Sequence, residues 1–226
     1  MWWSDLFTNM NPTDFFNFSF LPKYGTAFVR GIEYTLLLAV VSVLLAILPA
    51  LELALMRLSR KKPVRWLSGA YIAVFRSTPM LVQLSIIYYG LFYAISLPRL
   101  TLFGFVDISR FIPGVVALAL DKGQAEAARS LGLSQWQSMR LVVLPQAVKN
   151  VLPALANEMV TMVKESSICS VLGMAEMMFA AKTIAGSTGI SLAPYTLAAL
   201  VYFCINYPAS KGIEAIERRM RRGDKQ

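Results

Sequence analysis

Apolar residues in this chain fall into long unbroken runs separated by short charged stretches. The first run, Tyr34 to Leu51, is uncharged for 18 residues and is bracketed by Glu33 and Glu52. A helix needs about 20 apolar residues to cross a bilayer, so a first span is expected over 27–57. The second run, Ser77 to Pro98, is uncharged for 22 residues and continues a helical pattern that starts near Trp66. It predicts a span over 66–97 that breaks or bends at Pro79, because proline removes a donor and clashes with the preceding turn. The last run, Ser191 to Ser210, predicts a span over 190–213 followed by a basic tail over 214–226. Between them lies Val151 to Met174, apolar but interrupted by Glu158, Lys164 and Glu165, giving a span over 148–174. Charges at such depth face a bundle interior or a wet cavity rather than lipid.

Residues 1–24 are polar and aromatic, with Trp2, Trp3, Phe7, Phe15, Phe16, Phe18 and Phe20 among them. No basic region precedes the first run, so a cleavable signal peptide is excluded and an interfacial segment with rings at headgroup level is expected.

Composition agrees with lipid as the solvent. Of the 226 residues 56% are hydrophobic and 15% charged, where a soluble domain carries about 25% charged residues. The net charge of +9 would suit nucleic acid if it clustered on one soluble face, but it lies between apolar runs. Arg57, Arg60, Lys61, Lys62 and Arg65 follow the first span; Lys122, Arg129, Arg140 and Lys149 precede the fourth; Lys211, Arg218, Arg219, Arg221, Arg222 and Lys225 close the chain. Those are fifteen cations, against five (Lys23, Arg30, Arg99, Arg110, Lys182) on the other side. The positive-inside rule then puts the N-terminus outside and the C-terminus in the cytoplasm.

That topology needs a third span between Arg110 and Lys122, and only Phe111 to Leu120 is available. Ten helical residues rise about 15 Å, half of a hydrocarbon core of about 30 Å. Either the segment is a half-span, or residues are missing between Leu120 and Asp121. The second reading is favoured, because a half-span would leave the following basic loop on the wrong side of the membrane.

Several chemistries are excluded. The chain has no histidine, which removes triad catalysis and His-ligated metals, and no GK[ST] phosphate loop. Cys169 and Cys204 lie in apolar segments and read as buried, inert thiols. No catalytic, cofactor or metal site is expected in this chain. An intramembrane enzyme is the least favoured class, since no nucleophile–base pair is evident.

The loop over 121–147 is the most informative stretch. Glu126-Ala127-Ala128 is followed after three residues by Gly132, and nine residues later by Val142-x-Leu144-Pro145. Ala125 to Leu131 reads as a short helix stopped by Gly132, and Ser134 with Gln137 forms a capping box for a second helix ended by Pro145. Trp136, Met139 and Val143 share one face of that second helix. A compact helix–turn–helix with small alanines on one arm suits docking into a groove on another protein.

This spacing resembles the EAA loop of permease subunits of bacterial ABC importers. Flanking residues narrow the resemblance to the polar amino-acid subfamily: Phe75-Arg76-Ser77-Thr78-Pro79-Met80-Leu81-Val82-Gln83-Leu84, Leu144-Pro145-Gln146-Ala147, Asn157-Glu158 and Lys164-Glu165-Ser166-Ser167. The likeness runs from about Tyr24 to Arg219 and departs from the family pattern only after Leu120, where about 15 to 20 residues fewer are present. It implies an all-α integral membrane protein of about five spans with the type I importer permease fold, its third span truncated.

The resemblance further implies a second permease subunit, a cytoplasmic ABC ATPase dimer carrying ATP and Mg, an extracytoplasmic amino-acid-binding protein and a polar amino-acid substrate. Transport would run by alternating access, with Glu126 a polar contact to the ATPase, Ala127 and Ala128 its close approach, and Gly132 the bend. Glu158 and Glu165 are seven residues apart and share a helical face with Lys164 beside them, so either substrate contact or an internal ion pair is open. Arg76 reads as a snorkelling or carbonyl-capping cation, or as a gate. Thr78-Pro79 reads as a helix break, with Gln83 and Ser166 completing the candidate path. Glu33 and Glu52 mark membrane interfaces, and Glu33 stands where cationic substrates would enter. An ion-coupled secondary transporter using Glu158 or Glu165, and a non-transporting membrane scaffold, are the alternatives; neither requires an ATPase partner.

Overall fold

The computed structural model describes residues 15–92, 101–102, 106–107, 110 and 144–223. The interfacial segment over 1–14, the third span over 111–120 and the coupling loop over 121–143 lie outside the described residues. The longest element, α1 (Leu21–Leu58), has 38 residues and a mean hydropathy of 2.6 in its most apolar stretch. Pro22 stands in its first turn, where a missing N–H costs nothing. One face of α1 is buried from Phe28 through Tyr34, Leu38 and Ser42 to Ala54, while Leu36, Val40, Leu44, Leu48, Leu51 and Leu55 are exposed at three- to four-residue intervals. An apolar exposed stripe is what a helix bathed in hydrocarbon presents.

The second run is two elements. Helix α2 (Lys62–Ser77) turns through 105° at Thr78 and Pro79 into α3 (Met80–Ser85), which continues as a π-helical turn over Ile86–Phe92. The break expected at Pro79 is present and separates two segments at a steep angle, because proline disfavours helical geometry at the residue before it. Thr78 is extended, with φ −109° and ψ 141°. Residues Thr101–Leu102 (β1) and Val106–Asp107 (β2) pair antiparallel, the one pair of strands among the described residues.

The charged run is also broken. Helix α4 (Leu144–Glu165) passes into a 3-10 segment, Ser166–Leu172, which ends at Gly173 with φ +73°. Helix α5 (Met177–Thr188) follows, bent by 46° from the axis before the break. Helix α6 (Ala193–Gly223) runs through most of the basic tail, so the described part of that tail is helical rather than a separate segment. Lys211 and Glu214 pair on its exposed surface at 2.9 Å, and the lysine holds the Glu214 carboxyl below the ordinary carboxylate range. Among the described residues, α1 alone is long and apolar enough to cross a membrane unaided, with up to three crossings if each bent pair counts as one.

Two apolar clusters hold most of these pieces, and a third, smaller one packs Leu53 and Ala54 of α1 against Tyr71 of α2. In the inner one, Tyr34, Leu38 and Val43 of α1 meet Leu84 of α3, Met162 of α4 and Cys169 and Leu172 of the 3-10 segment. In the outer one, Phe20 and Phe28 meet Met177, Ala181 and Ile184 of α5 and Ala198 of α6. Both broken helices therefore end on the same face of α1. Cys169 is buried as its apolar surroundings predict, but Cys204 is exposed on α6, which corrects the expectation of two buried thiols.

Candidate functional site at two helix breaks

A helix break inside a membrane leaves backbone groups that water cannot satisfy, at several kcal/mol each if nothing replaces it. At the first break, side chains replace it. The Thr78 hydroxyl donates to the Val74 carbonyl at 3.0 Å. The buried Gln83 amide Nε2 lies 2.7 Å from the Phe75 carbonyl, 2.9 Å from the Thr78 carbonyl and 2.8 Å from Thr78 Oγ1. Gln83 thus reaches back across the 105° turn and ties α3 to the end of α2. Arg76, Thr78 and Pro79 are themselves exposed.

Replacing Gln83 with Leu keeps the volume and removes those donors. Leaving the Phe75 and Thr78 carbonyls without these donors costs about 1–3 kcal/mol, so the purified Gln83→Leu protein should be less stable by that much and melt earlier. An unchanged melting midpoint would mean that Pro79 alone holds the bend.

At the second break, Ser166 is buried and donates to the Val163 carbonyl at 2.8 Å, closing the end of α4. Gly173 supplies the left-handed turn that a β-carbon disfavours, and Arg110 donates to its carbonyl at 2.7 Å. Glu158 and Glu165 are half-buried on α4, each with a polar interaction, and Lys164 beside them is exposed. Leu144 and Pro145 occupy the first turn of α4. Glu126, Ala127, Ala128, Gly132, Trp136 and Val142 lie outside the described residues. The structure brings Gln83, Thr78 and Pro79 together at one break and places Glu165 and Ser166 at the other. Both breaks close onto the inner cluster through Leu84 and Leu172.

Glu176 was not singled out by sequence reasoning. It is fully buried at the N-terminus of α5, accepting from the Met178 amide at 2.9 Å and the Phe179 amide at 2.6 Å. Tyr202 of α6 donates its hydroxyl to the same carboxylate at 3.0 Å. The Met177 amide donates to Thr35 Oγ1 of α1 at 3.2 Å. A signal was available: Glu176 is the single charge between Ser166 and Ala181 and directly precedes an apolar run, the position of a helix N-cap. Beside it, Tyr24, Thr26, Arg30, Phe179 and Thr183 line a cavity of about 340 Å³ between the start of α1 and α5.

Residues 42–222 match the family described as binding-protein-dependent transport system inner membrane component, which is well over half of the chain. The chain belongs to that family. Its relatives include the arginine transport system permease protein ArtQ of Bacillus subtilis (strain 168), 34% identical with 87% of this chain and 93% of that protein covered. The probable glutamine ABC transporter permease protein GlnM of the same organism is 33% identical, with 90% and 98% covered. Among solved structures, a chain of an amino acid ABC transporter crystallised with histidines is 37% identical, with a TM-score of 0.76 over 90% of this chain and 98% of that one. A chain of the MetNI methionine ABC transporter, at 20% identity and a TM-score of 0.58, shows the shared fold. The broken helices are thus set within the fold of an ABC transporter permease.

Proposed function

We propose that this chain is the membrane-spanning permease subunit of an importer for a polar amino acid, working by alternating access. What carries the reading is near-full-length similarity at 37% identity to a chain of an amino acid ABC transporter. The two helix breaks support it physically. Interrupted helices line a pathway with backbone and amide groups, and such breaks are tolerated within a bilayer only where protein or a wet cavity surrounds them.

In this reading five spans cross the bacterial inner membrane, the segment over 111–120 being part of the third. The N-terminus is outside and the C-terminus in the cytoplasm. The loop carrying Glu126, Ala127, Ala128 and Gly132 docks on a cytoplasmic ATPase dimer, which binds ATP and Mg. A second permease subunit completes the pathway, and a binding protein delivers the amino acid to the outer face. Arg76, Thr78, Pro79, Gln83, Glu158, Lys164, Glu165 and Ser166 line or brace the path. Gln83 and Ser166 brace it, being buried with their donors spent on backbone carbonyls. Glu158, Lys164 and Glu165 offer charge to an ammonium or carboxylate.

The test is reconstitution in liposomes with the partner ATPase and binding protein. Labelled arginine or glutamine should accumulate only with ATP present, and excess of another polar amino acid should compete. Accumulation driven by a proton or sodium gradient without the ATPase would instead establish a secondary transporter.

A further inference from the structure

The carboxylate of Glu176 has a surrounding that a substrate ligand would not have. It has no exposed surface, and its two oxygens already receive two backbone amides and one phenol hydroxyl. Every partner is a donor, so the group acts purely as an acceptor. Those partners and the adjoining Met177 contact come from three helices: α5 itself, α6 through Tyr202 and α1 through Thr35. Directly beside it, an added β-carbon on Gly31 of α1 would stand 2.9 Å from the Met177 Cα, so the two backbones touch. The start of α5 is thus fastened to α1 and α6 by polar bonds and by backbone contact.

The other side of the break is built differently. Between α4 and Glu176 lie a seven-residue 3-10 segment and the left-handed Gly173. Hydrogen bonds in a 3-10 segment are poorer than those of an α-helix, and a mid-helix stretch of this kind often marks a hinge. Helix α4 begins at Leu144, within the last residues of the expected coupling loop over 121–147.

We propose that Glu176 is a positioning residue which makes α1, α5 and α6 one rigid block, with Ser166–Gly173 the hinge on which α4 moves against it. This rests on the importer reading above. Motion of the cytoplasmic loop is then transmitted along α4 and spent at the hinge, opening the path between the two breaks. Without the Glu176 bonds, the start of α5 follows α4 and the stroke is lost. Glu176→Gln would leave one acceptor oxygen and would set an amide nitrogen against a backbone N–H, loosening the block at its joint.

The experiment measures amino acid imported per ATP hydrolysed by the whole reconstituted transporter. Glu176→Gln should lower that ratio severalfold, with ATPase rate and substrate KM close to the parent's. Tyr202→Phe removes one donor while keeping the backbone cap, and should lower the ratio by less in the same direction. A proportional fall of transport and ATPase together in Glu176→Gln would reduce Glu176 to a fold-stabilising cap. A raised KM at unchanged ratio would make it a substrate contact. Either result overturns the proposal. If Glu176→Gln does not assemble, Tyr202→Phe decides alone, and an unchanged ratio there also overturns it. Failure of the importer reading is separable, since the unsubstituted protein would then show no ATP-dependent uptake.

Discussion

Gly31→Leu should give a chain that inserts into the membrane but does not yield a stable, monodisperse complex. At this point on α1 even one added carbon meets the Met177 Cα at 2.9 Å, the Met177 amide nitrogen at 3.2 Å and the Glu176 carbonyl carbon at 3.3 Å. These are backbone atoms, which cannot rotate away as a side chain can. The start of α5 would have to retreat from α1, breaking the bond from the Met177 amide to Thr35. Overpacking by a methyl group costs about 1–3 kcal/mol, and Gly31→Ala should melt earlier by that amount. Gly25 on the same helix has open space where its β-carbon would stand. Gly25→Ala should therefore be neutral or stabilising by up to about 1 kcal/mol, as alanine is the better helix former. Equal melting midpoints for the two alanine variants would show that α1 and α5 do not touch at Gly31. Small residues at helix contacts let backbones approach in lipid, where hydrophobic driving force between helices is absent.

The second large effect is expected in the cytoplasmic loop. Glu126→Lys and Gly132→Pro should abolish uptake while the protein still inserts and pairs. In the proposed contact with the ATPase, reversing the Glu126 charge would cost about 2–5 kcal/mol, a loss of coupling on the order of 30-fold or more. The sequence expects Gly132 to end a helix where left-handed backbone is favoured, and proline's fixed φ of about −65° cannot adopt that. The readout is ATP-driven uptake beside ATPase pull-down with each variant. Normal uptake in both would remove the loop from the coupling path. The two variants separate two effects, since Gly31 acts through packing and Glu126, in the proposed reading, through association with a partner.

The two breaks were unequally visible in the chain. Thr78-Pro79 announces itself, because proline restricts both its own φ and the residue before it. That local chemistry places the bend but says nothing of its 105° or of Gln83 reaching back to Phe75. The break after Ser166 has no proline. It depends on Gly173 turning left-handed and on Arg110, 63 residues earlier, capping the Gly173 carbonyl. Glu176 shows the same limit more sharply. Its cap position is a local signal, but Tyr202, which donates to it, stands 26 residues later, and Thr35, which accepts from the adjoining Met177 amide, lies far back on α1. No spacing rule connects them.

Hydrophobic runs, charge placement and the Glu126-to-Pro145 spacing by themselves pointed to a chain in lipid and to the family it belongs to, and set the expectation for which way its cationic loops face. Those properties follow from composition and from short-range periodicity, which act residue by residue along the chain. Only the tertiary structure decided which of the membrane charges is structural. Glu158 and Glu165 drew notice through helical spacing, while Glu176, buried and bound on three sides, joins α1, α5 and α6. The physical reason is that a carboxylate in an apolar interior is tolerated only where donors converge on it. Here the donors are two amides at the start of α5 and Tyr202 of α6, while Thr35 of α1 holds the adjoining Met177 amide, and folding alone brings the three helices together.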